Sequence, residues 1–183
     1  MMITQAELKE NLHYNPDTGD FTWIKPGIGR QMHRKVGCQS RGYRRIKLYG
    51  KAYPSHRLAF LYVEGRFPPN EVDHINGVRD DNRWVNIRHA THAQNGRNMK
   101  SFKGSVSKFV GVSLDTRKHT KKDGTVSVYT NWRAQTNHLG KMKHLGYFKC
   151  ETCAALAHDD FVSEHYPEFC KTNFPRLKVS NGR

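Results

Sequence analysis

The sequence predicts an α+β chain organised as two small modules, and three observations predict it. Short runs that alternate in polarity, bounded by glycine, read as strands in both halves. Between and after them, apolar residues recur at helical spacing behind capping residues. The stretch from Arg97 to Lys108 is rich in Lys, Ser and Gly and has few apolar residues, as a basic linker would. At 183 residues the chain exceeds one small domain but is too short for two large ones, which excludes the large catalytic folds. Hydrophobic residues at 36% and aromatic residues at 11% suffice for small cores.

In the first module, Thr4-Gln5-Ala6-Glu7 is a capping box, with Leu8 and Leu12 four residues apart on one helix face. Asn15-Pro16-Asp17-Thr18-Gly19 is a turn that ends this helix. From Gly42 to Tyr53 the residues alternate, with Gly50 at the bend of a hairpin. Arg44, Ile46 and Leu48 point one way, while Tyr43, Arg45, Lys47 and Tyr49 form a basic, aromatic face. Arg30, Arg34, Lys35 and Arg41 lie just upstream, and together they favour contact with a phosphate backbone over a merely solvated strand face. Ser55 can cap a helix carrying Leu58, Ala59, Leu61 and Tyr62, stopped by Gly65 and Pro68-Pro69. His56 and Arg57 in its first turn are either scaffold or phosphate ligands.

Charge narrows the partners. A formal charge of +15, from 31 Lys+Arg against 16 Asp+Glu, exceeds what solubility needs and favours a polyanion through counterion release. Nucleic acid leads and an anionic membrane surface is second. No stretch approaches the roughly 18 apolar residues of a spanning helix, and the opening MMITQAELKENL lacks a signal-peptide layout, so a cytoplasmic protein is expected. Cys38, Cys150, Cys153 and Cys170 are too few and irregular for a disulfide framework. Cys150-Glu-Thr-Cys153 has no second CxxC, so core thiols at a helix start are favoured over a zinc site.

The segment richest in chemistry is Val72-Asp73-His74-Ile75-Asn76-Gly77, Asp80-Asp81-Asn82-Arg83, Asn86-Ile87-Arg88 and Thr91-His92-Ala93-Gln94-Asn95. Asp73 and His74 end a short strand, Asn76-Gly77 turns the chain, and Val85 to Arg88 return as a second strand. Thr91 then caps a helix carrying Asn95. The result is a ββα unit.

These residues, read as DHxNG, DNR, NxR and a final QN, resemble the HNH (ββα-metal) endonucleases, particularly the small phage and intron-encoded kind. The resemblance runs from Tyr43 to Asn98 and includes GYRRIKL and HRLAF. It implies that His74 is the general base, since a neutral imidazole with a pKa near ~6.5 takes a proton from water at physiological pH. It places Asp73 and Asn95 on one divalent cation, and carboxylate plus amide oxygen suits Mg²⁺ or Mn²⁺ better than zinc. Asn86, at the middle position of the motif, would orient the His74 ring through its other nitrogen. His89 and His92 match no catalytic slot and are assigned to surface or DNA contact.

In the second module FVGVSLDTRKH, YTNWRAQTN and KMKHLGYF read as three strands. Cys150 to Tyr166 reads as a helix with Ala154, Leu156, Ala157 and Phe161, stopped by Pro167. The GVS, the W-x-A of Trp132 to Ala134, LGYF, the alanine-rich helix and TNFP resemble the plant APETALA/ethylene-response-factor DNA-binding domain, over about Phe109 to Pro175. That resemblance implies a sheet in the major groove, with Arg117, Trp132, Arg133, Gln135, Lys141, Lys143 and His144 as contacts and Trp132 alternatively in the core.

Expected, then, is an HNH nuclease domain over residues 1–100 (motif 72–98), a basic linker over 101–108, a three-stranded sheet packed on one helix over 109–175, and a basic tail over 176–183. Arg44, Arg45, Lys47, Arg57, Arg97 and Lys100 are the DNA contacts expected of the first part. The implied activity is metal-dependent hydrolysis of double-stranded DNA by a monomer, in a phage or mobile-element homing role. A DNA-binding regulator with an inactive HNH fold is the alternative.

Overall fold

A computed structural model describes residues 2–98 and 104–174. The linker positions 101–103, Lys100, Pro175 and the tail 176–183 lie outside the described residues. The chain divides into two compact units that meet in sequence at Gly96 and Arg97.

The first unit opens with α1 (Gln5–Asn11), whose Thr4–Glu7 capping box is formed in both directions. The expected turn after it belongs to a hairpin: β1 (Leu12–Asn15) pairs antiparallel with β2 (Asp20–Trp23). Leu12 is thus a strand residue, buried with Leu8. Asn15 Oδ1 accepts from the Asp17 and Thr18 amides and so builds the turn itself.

A three-stranded antiparallel sheet follows, ordered β3 (Cys38–Ser40), β4 (Tyr43–Leu48), β5 (Lys51–Pro54). Its two bends carry positive φ at both central residues, Arg41-Gly42 and Tyr49-Gly50, the geometry that matches a two-residue turn to strand twist. Ile46 and Leu48 are buried, while Arg45 and Lys47 alternate to the exposed side. α2 (Ser55–Glu64) buries Leu58, Ala59, Phe60 and Leu61 and ends on Gly65 at φ +79°. The cap position falls on Pro54, not Ser55, which is buried in the first turn.

β6 (Glu71–His74) and β7 (Ile87–Ala90) form an antiparallel ribbon, with α3 (His92–Arg97) after it. The second strand begins later than the sequence suggested, because Trp84–Asn86 form a 3₁₀ turn that returns the chain. One core joins Leu8, Leu12, Tyr14, Phe21, Ile46, Leu58, Phe60, Val72 and Ile87, so the ribbon is seated on the other elements of this unit.

The second unit is an antiparallel sheet of order β10-β9-β8, from β8 (Val112–Thr120), β9 (Val126–His138) and β10 (Lys141–Phe148), followed by α4 (Glu151–His165). Its core is small: Val112, Ala134, Ala154 and Ala155, with Phe109, Trp132, Leu145, Phe148 and Phe174 around them. α4 buries Ala154, Ala155, His158, Asp159, Val162 and Ser163. Leu156, one of the apolar residues that marked this helix in the sequence, is exposed, because the helix turns its small residues to the sheet. Asp159 accepts from Asn173 Nδ2 and the Phe174 amide, and Asn173 also bonds both backbone groups of Val110. Cys150 and Cys153 are exposed rather than core thiols, and the Cys150 sulfur caps α4 by accepting from the Cys153 amide at 3.1 Å.

Candidate active site

His74 ends β6 and is 5% exposed. Its Nε2 lies 3.1 Å from Asn82 Oδ1. The Asn82 amide nitrogen is turned to the Asp80 carbonyl, at 3.3 Å, so the Oδ1 facing His74 can only accept. Nε2 must therefore carry the hydrogen, and the neutral ring has its lone pair on Nδ1. Burial holds the His74 imidazole below its ordinary pKa, against opposing pulls from Asn82 and the Asp73 and Asp81 carboxylates. Such a ring is neutral at physiological pH, the state a proton acceptor needs.

Asn82, not Asn86, is the residue that orients His74. Asn86 instead clamps the loop between the two strands: its Nδ2 donates to Asn76 Oδ1 and the Asp81 carbonyl, and its Oδ1 accepts from the Asn76 amide. The same loop is tied by the two-point contact of Arg83 with Asp81 and by the bond from Asn76 to Asp81, which hold the Asp81 carboxyl down to about 2. The Tyr14 hydroxyl donates to the Asn82 carbonyl at 2.7 Å, and the Trp84 amide donates to the Pro16 carbonyl. Gly19, at φ +75°, lies so close that a Cβ there would meet the Asn82 carbonyl carbon at 2.3 Å. The β1–β2 hairpin therefore braces Asn82. Three asparagines within one loop look alike in sequence, and the contact that separates them is long-range.

Asp73, one residue before His74, alternates to the other face of β6. It is 3% exposed, and Arg88, its register partner on β7, donates to Oδ2 from Nε at 2.8 Å and from Nη2 at 2.6 Å. Asn95 on α3 donates from Nδ2 to Glu71 Oε2 at 2.6 Å, and His92 meets the other Glu71 oxygen at 2.7 Å. These bonds fix the Asn95 amide with its oxygen as the remaining donor atom for a ligand. Among the described residues no three His, Cys, Asp or Glu side chains group as a metal set. The protein donors brought by Asp73 and Asn95 are one carboxylate and one amide oxygen, a set that fits a hard cation keeping several waters and a substrate phosphate as ligands.

On the side of His74, the His56 ring stands edge-on at 5.3 Å, Tyr43 lies 5.4 Å from His56 and 6.1 Å from His74, and the Arg79 guanidinium covers Tyr43 at 5.0 Å. Burial pushes His56 down to about 3, with the charges of His74 and Arg57 adding to it. Of the two roles open to His56 in the sequence, scaffold or phosphate ligand, this burial against Tyr43 and His74 favours scaffold.

Several cations expected at phosphates are engaged within the fold. Arg44 makes a two-point contact with Asp80 at 3.0 Å and 3.0 Å and also reaches the Gly37 carbonyl. It lies on the inward side of β4 with Ile46 and Leu48, and it pins the loop that carries Asn82. Arg57 donates to the Asn70 and Pro68 carbonyls and so fixes the approach to β6. Arg45 and Lys47 are exposed on the hairpin, and half-buried Arg97 ends α3.

In the second unit the strand register sorts the candidates by face, because directly paired residues share one. Val112, Ala134 and Gly146 pair across the face that α4 covers, as do Leu114, Trp132 and Phe148. Trp132 therefore belongs to the core. Lys143 pairs with Thr136 on that side and lies over the Phe161 ring, and Lys141 shares the side by register. Arg117, Arg133, Gln135 and His144 lie on the opposite face with exposed Tyr129 and Tyr147. There Arg117 donates to the Tyr147 hydroxyl and to Asp115, and Arg133 to Ser113 Oγ. One open face thus carries arginines, an amide, an imidazole and two tyrosines.

Residues 53–97, about a quarter of the chain, match the family model described as HNH endonuclease. The match spans β5 to α3 and includes His56, Asp73, His74, Asn82, Asn86, Arg88 and Asn95, and it supports a nuclease domain acting on DNA. No curated protein and no solved structure matches the chain.

Proposed function

We propose that the chain is a metal-dependent endonuclease that nicks or cuts double-stranded DNA, leaving a 5′-phosphate and a 3′-hydroxyl. The observation that carries this reading is the buried imidazole of His74, locked by Asn82 with its lone pair on Nδ1, inside the segment that matches the HNH endonucleases. In this reading His74 Nδ1 takes a proton from the attacking water while Asn82 keeps the ring from turning. Asp73 and Asn95 would hold a Mg²⁺ or Mn²⁺ ion, which when bound neutralises charge on the phosphate and leaving oxygen. The loop tethers from Asn86, Arg44 and Tyr14 keep the base in place between substrates, which is how fixed geometry lowers a barrier.

The second unit is proposed as the DNA reader, through the open sheet face carrying Arg117, Arg133, Gln135 and His144, while Arg45, Lys47 and, beyond the described residues, Lys100 contact the backbone. Its resemblance to the APETALA/ethylene-response-factor domain supports that part. A monomer of phage or mobile-element origin, working in the host cytoplasm in a homing role, is the biological setting proposed.

The test is a plasmid-nicking assay with the full chain in Mg²⁺, Mn²⁺ and EDTA, beside His74→Ala. Expected are metal-dependent nicking and a loss of about 10²-fold or more in His74→Ala with duplex affinity retained. Tight, specific duplex binding without cleavage in any metal would favour the regulator with an inactive site.

A further inference from the structure

We infer that Arg88 is a positioning residue that competes with the divalent cation for Asp73, so that the site takes up metal and DNA phosphate together rather than metal alone. The inference rests on the endonuclease reading above and concerns the regulation of that same site.

Glu71 and Asp73 alternate onto one face of β6, Arg88 faces Asp73 across the ribbon, and Asn95 is tied to Glu71. Arg88 therefore sits on the face that bears both oxygen donors proposed for the cation. Its guanidinium grips one oxygen of Asp73 from two nitrogens, at 2.8 Å and 2.6 Å. The carboxylate side chain is 3% exposed and the arginine side chain 22% exposed, so the contact holds an acid that reaches almost no solvent.

A buried carboxylate in that contact already has its charge compensated. A dication drawn to the same carboxylate meets a fixed positive charge a few ångströms away, and in so poorly solvated a place the repulsion is weakly screened. A planar guanidinium, however, fits phosphate oxygens as well as carboxylate oxygens. A backbone phosphate entering the site offers Arg88 a second anion, and Asp73 then becomes available to the cation. Because coupling between two ligands is reciprocal, phosphate raises metal affinity by the factor by which metal raises DNA affinity. A purely structural ion pair predicts the opposite sign: removing Arg88 would loosen Asp73 and weaken metal binding.

The test measures Mn²⁺ binding to the full chain by the paramagnetic resonance of free Mn²⁺, without DNA and with a non-cleavable duplex. Wild type is compared with Arg88→Gln, Arg88→Lys and Asp73→Asn, each checked for folding by circular dichroism. Without DNA, Arg88→Gln is expected to bind Mn²⁺ roughly 5- to 150-fold more tightly than wild type, the usual span of a coupling between sites. The duplex should strengthen Mn²⁺ binding in wild type and much less in Arg88→Gln. Arg88→Lys keeps the charge without the fork and is expected to tighten binding by a smaller factor. It decides the matter if Arg88→Gln does not fold. Binding that is unchanged or weaker in a folded Arg88 variant, with Mn²⁺ lost in Asp73→Asn, overturns the competition and leaves the endonuclease reading standing. Wild-type Mn²⁺ affinity in Asp73→Asn would remove the metal assignment and this inference with it.

Discussion

Unit 1 fills its interior with Tyr14, Phe21, Ile46, Leu58 and Phe60, whereas the buried residues of the second core are Val112, Ala134, Ala154 and Ala155. Large side chains hold elements apart and leave loops to be secured by polar tethers, as the Asn76–Asn86 loop is by Tyr14, Arg44 and Asn86. Small ones let helix and sheet approach closely: at Gly111 a Cβ would meet Cδ2 of the α4 side chain His158 at 2.0 Å and the Gln135 carbonyl oxygen at 2.7 Å. The first unit fixes a site by converging side chains. The second presents an open sheet by drawing a helix close against its other face.

The sharpest way to break this comparison is to add one methyl group to each unit. Gly19→Ala and Gly111→Ala both force a left-handed φ, +75° in each, onto a residue with a Cβ and into backbone overlap. Each is expected to cost about 3 kcal/mol, from strain and overpacking together. Region-resolved hydrogen exchange should show Gly19→Ala loosening β1, β2 and the loop at Asn82, with nicking lost, and Gly111→Ala loosening only β8 to α4. Equal loss of protection across both units in either variant would show that they do not hold separate cores.

A smaller effect is expected from Asn82→Ala, which deletes the contact that orients His74. Removing an outer-shell partner of a functional histidine typically costs 10- to 100-fold. The nicking rate should fall by about that factor, and Asn86→Ala, acting only through the loop, should retain more activity. Ranking the two in reverse order would return the orienting role to Asn86.

The smallest effect concerns acid. Burial holds His158 below its ordinary pKa, against the weaker opposing pull of Asp159, the carboxylate 3.3 Å from its Nδ1. The unfolded chain then binds the proton more readily than the folded one, so stability of the second unit is intact above about pH 6.5 and declines as pH falls towards the folded value. The slope is at most about 1.4 kcal/mol per pH unit. Exchange protection in β9 and α4, followed from pH 7.5 to 5.5, should fall in wild type and stay flatter in His158→Gln. A wild-type profile without slope would sink the assignment.

Local signals were legible in the sequence where the physics is local. The Thr4–Glu7 capping box, the glycine at position 50 and the glycine stop at 65 sit where the chain turns. Alternation separated Ile46 and Leu48 from Arg45 and Lys47. What was hidden depends on partners distant in sequence. Arg44 reads as a basic strand residue until Asp80 is found 36 positions away, and the role of Asn82 follows from a ring eight positions before it. In α4, Leu156 outranks alanine in hydrophobicity, yet the close approach of helix and sheet admits the alanines and excludes the leucine. The side of the sheet on which Trp132, Lys141 and Lys143 lie is a matter of parity, and a single stretch cannot reveal which parity α4 will cover.

Asn173 bonds the backbone amide and carbonyl of Val110 across 63 positions, and Asp159 accepts from both Asn173 and the Phe174 amide. The clasp thus joins the segment just before β8 to the segment that follows α4, and closes a loop that contains the whole sheet and its helix. A contact at that separation carries a loop-closure cost that the local strand pairings do not, so opening at residues 173 and 174 is expected to precede any loss of the sheet.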